Sequence, residues 1–272
     1  MNCKATALYV LTAASLGLVS TAQAQEAWPE DVTGSDSGRQ YEMDLGGGLM
    51  VSPKYPGADS YLVFPFPIAV ISRFYVPGLG QVADGTATRR GFSIFPSFDF
   101  NGERNASDAA ELTGTDTVDW ALEFGLGVSY RYDWVRGTFE LRQGLNGHTG
   151  QVAEFGLEVI TEPFDRTRFV FGPRATWASG DYMSTYFGVS EDEASAPGSM
   201  LSAYDAGSGF KTVGLAARAS YDWTNRTTLH IRGGWDRFIG DASDSPIVTT
   251  GSEDQFFVGA GITYRFSFDV FD

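Results

Sequence analysis

The chain has 272 residues and a formal net charge of −15 at pH 7, with 33 Gly, 21 Phe, 12 Tyr and 6 Trp. So acidic a chain lacks the basic footprint that nucleic-acid binding needs, which excludes that class. Its one cysteine, Cys3, lies in the leader and too early for a lipoprotein acylation site, which excludes disulfides, Cys-based metal sites and thiol catalysis from the rest.

Taken in chain order, a basic Lys4, an apolar run from Ala5 to Val19 and a small-x-small Ala22-Gln23-Ala24 read as an export signal over residues 1–24, cleaved after Ala24. The run is too short for a membrane-spanning helix. Residues 25–40 are polar and acidic, carry Pro29, Gly34 and Gly38, and read as a flexible periplasmic segment. From residue 41 to residue 272 the chain reads as one β domain, because hydropathy alternates with period two almost to the end. Lysine nearly vanishes after the signal, leaving Lys54 and Lys211.

The first half offers strand segments at 41–51, 61–71, 74–78, 79–84 and 91–100, with Asp84-Gly85 as a hairpin-type turn signal. The second half is clearer. Leu122, Phe124, Leu126, Val128 and Tyr130 share one face of 120–131, opposite Glu123, Gly125, Gly127, Ser129 and Arg131. The same division of apolar against charged or glycine recurs at 134–144, 152–160, 168–177, 212–221, 228–236 and 255–266. Each segment is about as long as one tilted membrane strand of roughly 9–11 residues. A soluble sandwich would alternate as well. Aromatics near strand ends (Trp120, Tyr130, Trp177, Tyr221, Trp235, Tyr264) favour a transmembrane antiparallel up-and-down β-barrel, as do alternating short and long connections and the export signal. Two periplasmic termini demand an even count, about twelve strands, or ten if 74–84 forms a single arm or a loop.

Several segments then resemble a known family over essentially the whole exported length. These are Tyr55-Pro56-Gly57-Ala58-Asp59-Ser60-Tyr61 leading into Pro65-Phe66-Pro67, the run Leu141–Gly150 (LRQGLNGHTG), Gly172-Pro173-Arg174 with Asp181–Val189, Tyr204–Gly209, and Gly240–Val248. Together they are similar to the MipA/OmpV family of outer-membrane proteins. The chain departs from that pattern in adding Ser267–Asp272 after the aromatic Phe266. The resemblance implies a non-enzymatic outer-membrane protein without a cofactor. It implies a structural or scaffold role, with a periplasmic murein hydrolase (a lytic transglycosylase) and a murein synthase as partners. Other members of the family are associated with osmotic adaptation, adhesion and drug susceptibility. A narrow channel for small solutes is the alternative. Outer-membrane lipid and lipopolysaccharide are expected partners of the wall, and acidic loops suit divalent-cation bridging to anionic headgroups.

For chemistry, the two histidines, His148 at a loop tip and His230 in mid-strand, are not expected to meet, which argues against a two-histidine metal or nucleophile site. Glu123, Glu140, Glu154, Glu158 and Asp236 are expected to face the lumen with Arg142, Arg168, Arg174, Arg218, Arg232 and Arg265. Interleaved signs point to a structural ladder of ion pairs over a hydrolytic carboxylate dyad. Glu191-Asp192-Glu193 lacks calcium-loop spacing, and Ser243-Asp244-Ser245-Pro246 is turn chemistry. Tyr182, Tyr186 and Phe187 form the candidate external-loop interaction surface, the other reading being that these rings fold back to cap the barrel mouth.

Overall fold

The computed structural model describes residues 39–78, 80–84 and 90–271. The export signal and nearly all of the 25–40 segment lie outside the described residues. Eleven strands form one antiparallel sheet. The first four are β1 (Tyr41–Pro53), β2 (Tyr61–Val76), β3 (Gly80–Asp84) and β4 (Arg90–Asn101). Then follow β5 (Ala121–Tyr132), β6 (Val135–Asn146), β7 (Gln151–Phe164), β8 (Thr167–Ala178), β9 (Gly209–Asp222), β10 (Thr227–Phe238) and β11 (Asp254–Phe268). The sheet curls into a barrel wall in which β1 is bonded to both β2 and β11, and β3 and β4 are the edges.

The direction of burial identifies the solvent on each side. On β5, Leu122, Phe124 and Leu126 are 39%, 46% and 63% exposed while Glu123 between them is 1% exposed. Leu215, Ile231, Val258 and Ile262 repeat the pattern around the wall. Apolar outside with charge inside is stable only where the outside is lipid, and the strand-to-strand ladder satisfies the backbone there from β3 round to β4. Among the described residues no helix is long and apolar enough to cross a membrane.

One sector inverts this rule. Phe64, Phe66, Ile68 and Val70 of β2 point inward and cluster with Met50 of β1. They lie over a glycine floor: a Cβ at Gly48 would sit 2.8 Å from the Phe66 ring, and one at Gly261 would sit 2.5 Å from Ile68 Cδ1. The lumen therefore carries an apolar patch where β2 packs over the glycines of β1 and β11, while Arg265, Glu42 and Asp44 keep charge on the same two strands nearer the chain ends.

Among the described residues the sheet has eleven strands, where about twelve, or ten, were expected. The segments expected at 61–71 and 74–78 are one sixteen-residue strand, β2. Nothing in Ile71-Ser72-Arg73-Phe74 makes a turn. The reversal waits for Pro77-Gly78, where Gly78 takes a φ of +89°. The termini still meet at one end, since Tyr41 is opposite Phe268. Eleven strands then make β3 and β4 run in the same sense, so no antiparallel pair can join those two edges. The C-terminal extension lengthens β11 to Phe268, and Asp269 then bonds the Arg39 guanidinium at 2.6 Å and the Gln40 backbone N–H at 2.8 Å.

The outer connections carry α1 (Gly180–Phe187), α2 (Glu191–Ala194), α3 (Asp241–Asp244), α4 (Pro246–Thr250) and a 3-10 turn at Ala110–Leu112. They fold over the barrel mouth as a cap with its own apolar core. One cluster gathers Tyr182, Met183, Tyr186 and Phe187 of α1 with Val152, Phe238 and Val248. A second gathers Tyr55, Leu112, Val189, Leu201 and Ile247. Leu126→Arg places a cation midway along the lipid face and is expected to cost about 2–4 kcal/mol, measured as the urea midpoint of the barrel refolded into lipid vesicles. An unchanged midpoint would show that this face does not meet lipid.

Candidate functional site

The charged wall is built from strand register. Glu140 and Glu154 sit directly opposite each other on β6 and β7, a repulsive like-charge pair. Arg142, two residues along β6 on the same face, neutralises it. Its guanidinium lies 3.0 Å from Glu140, 3.2 Å from Glu123, 3.5 Å from Glu154 and 3.7 Å from Asp99. One buried cation thus staples β4, β5, β6 and β7. Asn101 Nδ2 donates to Glu123 at 2.7 Å, and the Ser97 hydroxyl donates to Glu140.

Missing side chains let charges meet across an intervening strand. Arg174, Gly214 and Asp236 form one row over β8, β9 and β10. A Cβ at Gly214 would fall 2.1 Å from Asp236 Oδ1, so only glycine allows Arg174 Nε to reach that oxygen at 2.9 Å. Gly144 does the same for His148, whose Cε1 would be 2.1 Å from a Cβ there. The imidazole crosses Gly144 to bring Nε2 within 3.3 Å of Glu123 Oε1, while the Gly150 backbone N–H donates to Nδ1 at 3.2 Å. Rings of Tyr182 and Tyr186 meet it edge-on, with centroids 4.9 and 5.4 Å away.

Toward the end of the barrel away from the cap, Glu158 accepts from Arg136 at 2.7 Å and from Arg218 at 2.8 Å. Arg168 holds Glu162 at 2.8 Å, and Arg265 holds Asp44 at 2.9 Å. Arg232 and Arg174 share one ring: the Phe257 centroid is 5.2 and 4.9 Å from their guanidinium carbons. His230 shares a 2.8 Å hydrogen bond with Thr263 and stays remote in the register from His148. Among the described residues no group of three or more His, Cys, Asp or Glu is arranged to hold a metal ion. The arrangement neutralises and immobilises charge.

Two cavities, of about 140 and 70 Å³, lie on the cap side and the opposite side of one layer, and both are lined by Arg142, Glu154, Arg174, Arg232 and Phe257. Over the larger one sits α1. Tyr182, Tyr186 and Phe187 are 2%, 1% and 0% exposed, so the exposed interaction surface expected of them is not there. The eight-residue helix is turned so that these rings face the mouth. Arg104 holds it in place, donating to the Tyr186 and Thr185 carbonyls at 2.8 and 3.3 Å. These are last-turn carbonyls that a helix leaves unpaired. Burial pulls the pKa of Arg104 down, although Glu193 opposes the shift. Burial pushes that of Tyr186 up.

The acidic run in the cap is accounted for by capping. Glu193 accepts from the Ser190 backbone N–H at 2.7 Å and from the Asp116 backbone N–H at 2.8 Å, and Ser190 Oγ accepts from the Glu193 N–H at 3.2 Å. Ser245 caps α4 through the Ile247 N–H and donates to the Phe187 carbonyl at 2.7 Å. The sequence reading missed the His148–Glu123 contact and the inward Phe257. For the first, the signal was present in the glycines at 144, 147 and 150 around a histidine.

Known proteins give three kinds of match. A family model described as MltA-interacting protein MipA matches residues 45–266. The outer membrane protein Omp26La of Vibrio anguillarum is 34% identical over 91 residues, which is 34% of this chain and 33% of that protein. The chain therefore matches about a third of that relative's length. Solved structures with some similarity include Neisserial surface protein A, at 10% identity and a TM-score of 0.27 over 83% of this chain and 96% of that one. Another is a loop-deletion mutant of the Vibrio cholerae outer membrane protein OmpT, at 9% identity and a TM-score of 0.32 over 90% and 74%. Neither structural likeness is close enough to carry an argument.

Arg142→Leu leaves the buried Asp99 and Glu123 and the half-buried Glu140 and Glu154 without their shared guanidinium and is expected to lower stability by about 3–5 kcal/mol in detergent, read from urea unfolding. A second expectation concerns acid. Burial would raise the Glu193 carboxyl, but the Asp116 and Ser190 backbone N–H groups, the Ser190 hydroxyl and Arg104 outweigh it and hold the pKa below the usual range. Its contribution is therefore complete above the unfolded-state value of about 4.3 and is lost as pH falls through the lower folded-state value. Hydrogen exchange at the Asp116 and Ser190 amides, corrected for intrinsic rate, should accelerate over that acid window, and Glu193→Gln should abolish the step.

Proposed function

The chain belongs to the MltA-interacting protein MipA family, and on that footing we propose that it is a non-enzymatic structural protein of the cell envelope that organises murein-processing enzymes at the outer membrane. The observation that carries this reading is the obstructed lumen. A cap with its own apolar core covers the mouth, and below it the Arg142 and Arg174 ion pairs close a layer between the two cavities. Side chains tied in this way support a rigid wall, and rigidity suits a platform more than a pore. Lipid and lipopolysaccharide are the partners of the outward apolar face. A periplasmic murein hydrolase and a murein synthase are the partners of the short turns and of the segment before β1. That assignment draws on the family resemblance and on the printed description of the family.

The second reading, a narrow channel for small solutes, draws on the two cavities that flank the charged layer. The platform reading expects no discrete conductance steps from the purified chain in planar bilayers, and retention of murein hydrolase and murein synthase when the same chain is used as bait on periplasmic extract. Reproducible unitary steps with no retained murein enzyme would replace it with the channel.

A further inference from the structure

The cavity beneath the cap has a chemical bias that the ion-pair ladder does not explain. Each of the four acids lining it has an arginine within 4 Å. The remaining polar groups are arginines and Lys211, which only donate, and hydroxyls and amides, which can donate. Lys211, at a register shift where β9 meets β8, has no carboxylate within ion-pair distance among the described residues; its ammonium meets the Tyr182 hydroxyl at 3.3 Å and lies 4.8 Å from that ring's centre. Glu123, Asp99 and Asp236 act on it from farther away. Tyr186 is 1% exposed and its hydroxyl has no hydrogen-bond partner. Ser52 Oγ and Arg104 Nε are likewise buried without a partner, and both residues line the same cavity. Three such orphaned groups thus line one chamber.

Buried donors without acceptors are costly, so several at one cavity call for an explanation. We propose that the chamber is a binding site for a small oxyanion, a carboxylate or phosphate group, held by Lys211, Tyr186, Ser52 and Arg104. An acceptor-rich ligand satisfies every orphaned donor at once and brings the charge that Lys211 lacks nearby. A cavity of about 140 Å³ suits a molecule of a few heavy atoms and excludes a polymer. The site goes beyond the platform reading and does not rest on it.

The test is isothermal titration of the exported chain, folded in detergent micelles, with succinate and with inorganic phosphate. Succinamide and putrescine serve as the uncharged and cationic controls. Saturable heat is expected with one or both anions and with neither control, and the preferred anion identifies the headgroup chemistry. Tyr186→Phe keeps the ring and removes a hydroxyl that has no partner in the protein, so it should fold as the parent does. It should bind about tenfold more weakly, as loss of one hydrogen bond to a charged group predicts. Lys211→Met should abolish the heat. No saturable heat from either anion, equal heat from succinamide or putrescine, or unchanged affinity in Tyr186→Phe would each overturn the assignment.

Discussion

A single guanidinium with carboxylates from four adjacent strands is the contact on which the interior depends. Charges taken out of water are expensive, and their attraction offsets that cost only when geometry is good and the remaining donors and acceptors are met. Arg142 meets those terms because β5, β6 and β7 are in register without a slip along this stretch, and because Asn101 and Ser97 donate to the carboxylates around it. A slip of one residue would turn every one of these groups toward lipid. The ion-pair layer and the apolar outer face therefore enforce the same register from opposite sides of the wall.

Glycine has a particular task in this interior. A barrel with long charged side chains on every inward position would be overfilled. Rows such as Arg174–Gly214–Asp236 place an absent side chain between two long ones, which then meet across three strands. On the β1, β2 and β11 sector the same absence makes room for phenylalanine. The protein's largest apolar clusters lie at the mouth, in loops, where ordered packing needs burial that lipid does not supply.

Much of this was readable from the residues. Period-two alternation located β5 to β11 closely, because lipid outside and charge inside leave an unambiguous stripe. The inward set around Glu123, Arg142 and Arg174 followed from the same stripe. What failed were the features that depend on neighbours. Phe64, Phe66, Ile68 and Val70 are apolar on both faces of their strand, so alternation was silent, and their direction is set by glycines distant in sequence on β1 and β11. Strand count failed where turn chemistry was ambiguous, between Ile71 and Asp84. Exposure of Tyr182, Tyr186 and Phe187 could not be read because a short helix reveals its buried face only once its seat on the barrel is known.

The strand order has a further consequence. Going around the wall from β4 through β11 and on through β1 to β3, the strands follow the chain's own order, interrupted only at the junction of its two ends. That junction is fully hydrogen-bonded, while the edges belong to consecutive segments. The protein is thus a ring in connectivity, opened at an arbitrary point. A circular permutant running from Arg90 to Asp84, with Arg39 and Phe271 bridged, would trace the same wall as an unbroken meander. The wall begins and ends at the edges β3 and β4, and the first and last described strands, β1 and β11, are stitched into its interior.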